Sequence, residues 1–171
     1  LSKSMSLRKI LSLFLLSFSL IGGSSADFGD GLDAYNAGDH KTALQEWLAL
    51  AEQGDFRAQY NVGWMNAYGI GTLKDYEQAV NWYRKSADQG FVHAQFNLGN
   101  MYLRGDGVGK DDTLAFTWFI KAAEQGDAAS QYNLGRMYVL GKGVVANMPE
   151  AKLWIKKAYD NNDKNISILA E

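Results

Sequence analysis

The sequence predicts an all-α fold, an α/α solenoid of about four helix–turn–helix units, and three observations carry that prediction. The stretch AQYNVGWMNAYGIG beginning at Ala58 returns as AQFNLGNMYLRGDG from Ala94 and as SQYNLGRMYVLGKG from Ser130, each copy displaced by 36 positions. A period of that size marks units too small to bury their own apolar faces, which form a core only by stacking. Within each unit the apolar residues recur at helical spacing, while glycine is frequent and proline occurs once, at Pro149, so helices punctuated by turns are expected rather than strands. Finally, 47 % apolar and 13 % aromatic content is enough to build a packed core from 171 residues.

Residues 1–26 read as a secretory signal peptide. Lys3, Arg8 and Lys9 give a positive start, residues 10–21 are an almost unbroken apolar stretch, and Ser24 and Ala26 occupy the small-residue positions before a cut. The apolar run is shorter than the roughly 20 residues a membrane span needs, so no stable membrane insertion is expected after the leader is removed. No cysteine follows the run to carry a lipid, and either Leu1 or Met5 marks the start of translation. Those three cations lie in the leader and no acid does, so its removal moves the formal charge from −2 to −5. That balance argues against nucleic acid as a partner, because phosphate neutralisation needs clustered Lys and Arg. With no cysteine anywhere, stability must come from packing and stacking alone.

Residues 27–57 form a shortened first unit. With four residues taken from its turn, Gly31 aligns with Gly63, Ala43 with Ala79 and Gly54 with Gly90, and the connection is Ala37-Gly-Asp-His40. Full units follow at 58–93, 94–129 and 130–165, with 166–171 as a cap remnant. In the unit from Ala94, the residues Ala94, Leu98, Met101 and Tyr102 stripe a first helix, and Ala115, Trp118, Phe119, Ala122 and Ala123 stripe a second. Between the stripes lies a glycine-rich turn in which an aspartate can cap the second helix; Gly126 then stops that helix and Asp127 caps the next.

Helical glycine costs about 1 kcal/mol against alanine, so its return at Gly63, Gly99 and Gly135 implies close approach of a neighbouring helix. Trp82, Trp118 and Trp154 share one register of the second helix and are expected in the core. Asn66 and Thr72 break the pattern of the first full unit, whose turn is therefore expected to pack differently. At the far end Asn162 replaces the closing glycine, and the residues from Lys164 onward are expected to open a further first helix without finishing it.

This pattern resembles the Sel1-like repeat family, relatives of the tetratricopeptide repeat, whose units read A-x-x-x-L-G-x-x-Y, then G-x-G-V, an acidic or amide residue, A-x-x-W, paired alanines and a closing glycine. Ala94, Leu98, Gly99, Tyr102, Gly105, Gly107, Val108, Asp111, Ala115, Trp118, Ala122, Ala123 and Gly126 match it position by position, and the resemblance extends over residues 58–162. It implies a right-handed superhelix whose first helices line a concave side. It also implies an exported bacterial member, periplasmic or secreted, that acts as a scaffold or adaptor for other proteins; a monomer is expected. Two further functions are open by the same resemblance: hydrolysis of β-lactams or peptidoglycan, as in cysteine-stapled exported members, and inhibition of, or immunity to, a secreted partner.

No catalytic constellation emerges from the residues. His40 and His93, the two histidines, lie in different units, and without cysteine a zinc site has little to use. The S-x-x-K spacing at Ser6 falls within the leader. Gly105-x-Gly-x-Gly-Lys110 lacks the spacing and hydroxyl of a phosphate loop and follows a helix, and Asp106, Asp111 and Asp112 do not alternate as a calcium loop requires. A non-catalytic protein with no cofactor and no metal is expected.

What the sequence offers instead is a surface. If Ala58, Val62 and Met65 face the core, Arg57, Tyr60, Trp64 and Tyr68 share a neighbouring stripe. The equivalent stripes are His93, Phe96, Asn100 and Arg104, then Ala129, Tyr132, Arg136 and Leu140. Arginine and aromatics dominate binding hot spots, so this groove is expected to take a protein or peptide partner. Trp64, Asn100, Arg104 and Arg136 are expected in the open groove, whereas Tyr60, Phe96 and Tyr132 suit the groove and the inter-unit core equally. The recurring amides Gln59, Gln95 and Gln131, with Asn61, Asn97 and Asn133, are read first as helix-to-helix hydrogen bonds.

Overall fold

Asp27 to Ile168 are the residues described by the computed structural model, so the expected leader and its cleavage lie outside the described residues. Within them the chain forms eight helices: α1 (Phe28–Asn36), α2 (His40–Glu52), α3 (Phe56–Tyr68), α4 (Tyr76–Asp88), α5 (Val92–Arg104), α6 (Asp112–Glu124), α7 (Ala128–Leu140) and α8 (Met148–Ile168). No described residue is in a strand. Each helix packs on its neighbours in sequence, which gives four helix pairs stacked as a solenoid.

Aspartate sets most of the helix starts. Asp39, Asp55, Asp75, Asp111 and Asp127 each accept a backbone N–H of the first turn, as N-cap carboxylates do. Helix α5 is the exception, with Phe91 at the cap position and no side-chain cap bond. At the other ends of α3, α5 and α7, Gly69, Gly105 and Gly141 adopt the left-handed conformation and stop the helix.

The recurring helical glycines are contact points between the two helices of a pair. The ring of Tyr83 lies on Gly63 and that of Phe119 on Gly99, where an added Cβ would sit 2.9 and 2.8 Å from ring carbons. Ile155 on Gly135 and Trp47 on Gly31 complete the register. Trp118 and Trp154 are buried as expected, but Trp82 is only half-buried, and the neighbouring residue is the one pressed onto glycine. On each of these tryptophans rests the lysine three residues on: Lys85, Lys121 and Lys157, at 3.9, 4.1 and 4.1 Å from the ring centroids.

Between successive pairs runs a ladder of amides. Gln59 donates to the Ala51 carbonyl at 3.1 Å and accepts from Gln89 at 2.8 Å. Gln95 repeats this with Ala87 and Gln125, and Gln131 with Ala123 and Asn161. All three glutamines are buried, and these bonds satisfy their polar ends.

Two expectations need correction. The turn after α3 keeps the same backbone bonds as the others despite Asn66 and Thr72: Asp75 N–H donates to the Asn66 carbonyl as Asp111 does to Tyr102 and Asn147 to Tyr138. The substitutions alter side chains, while glycine conformation sets the turn. At the far end α8 runs unbroken through Asn162 to Ile168, so residues 164–168 extend the last helix rather than open a new one. Asparagine without a left-handed glycine does not stop a helix whose next turn is free to propagate.

Candidate binding groove

Helices α3, α5 and α7, with the start of α4, enclose a cleft of 480 Å³. Four of the sequence-predicted residues meet there: Tyr68 from α3, and Phe96, Asn100 and Arg104 from α5. The fold adds Tyr76 and Tyr83 of α4, the amides Asn97 and Asn133, and Asp106 of the following turn. The cleft is thus lined by the aromatic rings of Tyr68, Tyr76, Tyr83 and Phe96 and the amides of Asn97, Asn100 and Asn133, with one guanidinium and one carboxylate.

The other predicted residues divide among three places. Tyr60 is half-buried in an aromatic cluster, its ring centroid 5.6 Å from Tyr83, 5.2 Å from Phe91 and 6.1 Å from exposed His93. Trp64 is half-buried too, packed against both hydrophobic clusters of the core and 5.4 Å from Tyr68. It therefore bridges core and groove instead of standing open in the groove. Arg136 lines a smaller hollow of 110 Å³ with Leu103, Lys110, Met137, Leu140 and Lys142. Tyr132, 47 % exposed, lies beside Ala129 and Tyr159 in the last described pair. Arg57 is drawn back to its own helix cap, paired with Asp55 at 2.9 Å and seated over the Phe28 ring at 4.6 Å.

The amide rows have separate roles. The glutamines are consumed by the ladder, whereas Asn97 and Asn133 line the cleft. Spacing alone could not separate them, because both rows lie on the same helices two residues apart. Tyr83 was likewise out of reach of a stripe drawn on first helices: it belongs to the second helix and reaches the groove across Gly63. Burial pushes the hydroxyls of Tyr60 and Tyr83 upward, opposed by hydrogen bonding to Asn97. Both stay protonated at neutral pH and are available as neutral donors.

The turn Gly105–Lys110 is a stacking device. Gly107, at φ +67°, sets its Cα against the Tyr76 and Glu77 backbone of the preceding pair, and Gly143 sits likewise on Asp112 and Thr113. Among the described residues no three His, Asp or Glu side chains gather as a metal site, and no helix is long and apolar enough to cross a membrane.

Comparison with known proteins agrees with this architecture. A Sel1 repeat protein from Oxalobacter formigenes is 34 % identical, with a TM-score of 0.73 over 81 % of this chain and 55 % of its own. A protective antigen of uropathogenic Escherichia coli strains, described as displaying an SLR fold, is 33 % identical with a TM-score of 0.75 over 92 % of this chain and 33 % of its own. The chain thus spans about half of the first relative and a third of the second. Helicobacter pylori cysteine rich protein B, at 23 % identity and a TM-score of 0.57 over 72 % of this chain and 88 % of its own, shares the fold. No curated protein matches the sequence. The Sel1 repeat model matches residues 56–91, 92–127 and 128–163, the three stretches that begin at α3, α5 and α7, and the chain belongs to the Sel1 repeat family.

Proposed function

We propose that this protein is a non-catalytic interaction module, a scaffold or adaptor of the bacterial periplasm or exterior, whose groove on α3, α5 and α7 holds a segment of another protein. Sel1 repeats generally mediate protein–protein contacts, which supports the class. The carrying observation is the 480 Å³ cleft, where side chains from four helices and a turn converge on space that no other part of the described chain fills. Its composition suits a peptide: aromatic rings for an apolar side chain, and amides for a peptide backbone. The charged, apolar and small-residue order of residues 1–26 supports export.

Photocrosslinking in the producing cell tests the groove. With benzoylphenylalanine at Asn100 in the cleft and at exposed Thr117 on α6, a protein adduct is expected at Asn100 and not at Thr117. Adducts at Thr117 alone, or none at Asn100, would overturn the assignment.

A further inference from the structure

Beside the cleft the groove turns basic. Arg104 lines the cleft itself, and Lys110, Arg136 and Lys142 line the smaller hollow between α5 and α7. Asn133 belongs to both linings, so the two hollows adjoin on one face. Against these four cations the linings contain a single acid, Asp106. Among the described residues the ion pairs are Arg57–Asp55 and Lys156–Asp160, so none of the four groove cations has a carboxylate within 4.0 Å. Two further acids open α6: Asp111 is engaged by the Leu114 N–H as a cap, and Asp112 lies beneath the turn at Gly143. A local excess of cations on a chain of formal charge −2 favours a partner of opposite sign at this face.

We propose that the groove selects an acidic peptide segment, whose apolar or aromatic side chain enters the cleft between Tyr68, Tyr83 and Phe96 while a carboxylate meets Arg136, Lys110 and Lys142. This inference rests on the groove reading above and adds the chemistry of its occupant. The two hollows share Asn133, so their centres lie within about one helix diameter, or 10 Å, of each other. An extended chain advances about 3.3 Å per residue, so anchor and acid stand about three residues apart. A polynucleotide fits less well, because its remaining phosphates would meet an acidic chain and Asp106 stands at the cleft.

Fluorescence anisotropy with labelled peptides of about ten residues tests the selection. Each peptide carries one Trp or Leu anchor with Glu, Gln or Lys about three residues to either side, and an oligothymidylate of equal length serves as the polyanion control. Glu peptides are expected to bind about tenfold more tightly than Gln peptides at low salt, with the advantage shrinking as salt rises. It should vanish in the double variant Arg136→Gln, Lys142→Gln, with the melting temperature unchanged because both residues are exposed. Equal affinity for Glu, Gln and Lys peptides would overturn the acidic selection. So would an advantage that survives the double variant, or tighter binding of oligothymidylate than of any peptide. Charge-blind peptide binding that is lost in Phe96→Ala would leave the groove standing and remove only its acidic preference. If no peptide binds while crosslinks at Asn100 persist, the acidic selection alone falls; if both are absent, the groove reading falls as well.

Discussion

Gly99 and Phe119 show how one missing side chain organises a helix pair. Because the ring occupies the space a Cβ would need, Gly99→Ala forces the ring or the helix to shift, and overpacking of this kind costs about 1–3 kcal/mol. Phe119→Ala empties a fully buried site and should cost about 3–5 kcal/mol, read as a lower denaturation midpoint. Arg104→Ala, at an exposed position, should stay within about 0.5 kcal/mol while weakening partner capture. Trp64→Ala falls between them and should lower stability as well as binding, since its ring touches both core clusters. At the start of α3, the Arg57 side chain holds the Asp55 carboxyl below its ordinary value of 3.8. A carboxyl lowered in the folded state stabilises fully above its unfolded value, and that stabilisation is lost as pH falls through the lower folded value. Stability measured from pH 6 down to pH 2 should therefore fall less steeply at the acid end in Asp55→Ala than in the parent.

At the scale of elements, the helices are joined by two repeated devices, the amide ladder and the turn glycine. Gln95→Leu would remove one hydrogen bond from the Ala87 carbonyl, which keeps the Gly90 N–H, and one from exposed Gln125, so the loss should be that of two net hydrogen bonds, about 1–2 kcal/mol. Chemical denaturation should show that loss, with far-UV circular dichroism unchanged. The turn offers its own control. Gly107→Ala places a Cβ into the Tyr76 backbone at a positive φ and should destabilise by more than about 1 kcal/mol, whereas Gly109 has open space and an ordinary φ, so Gly109→Ala should be neutral or slightly stabilising. Equal effects at the two positions would mean that the turn does not register one pair on the next.

At the scale of the molecule, the described helices pack mainly on their neighbours in sequence, so each pair is stabilised by the pairs beside it, and Tyr132 and Tyr159 of the last described pair are exposed. The proposed export predicts a mature chain that begins at Asp27 and is released by osmotic shock. Intact-mass analysis should return a species without residues 1–26; a membrane-bound species that retains residues 10–21 would refute the export reading.

By itself the sequence determined the helical solenoid, the 36-residue period of its repeats and the aspartates and glycines that bound most helices, because these follow from local rules of spacing and backbone conformation repeated at every unit. It also placed Phe96, Asn100 and Arg104 on one face of α5, since residues on a common helix face stay together wherever the helix packs. Tertiary structure decided the rest. Only packing put Tyr83 of a second helix into that groove across Gly63, withdrew Arg57 to its cap, sank half of Trp64 into the core and assigned the glutamines to the ladder while leaving Asn97 and Asn133 in the cleft. Each of these depends on which neighbour occupies the space beside a residue, a quantity set by the angle and distance between helices that no stripe drawn on a single helix contains.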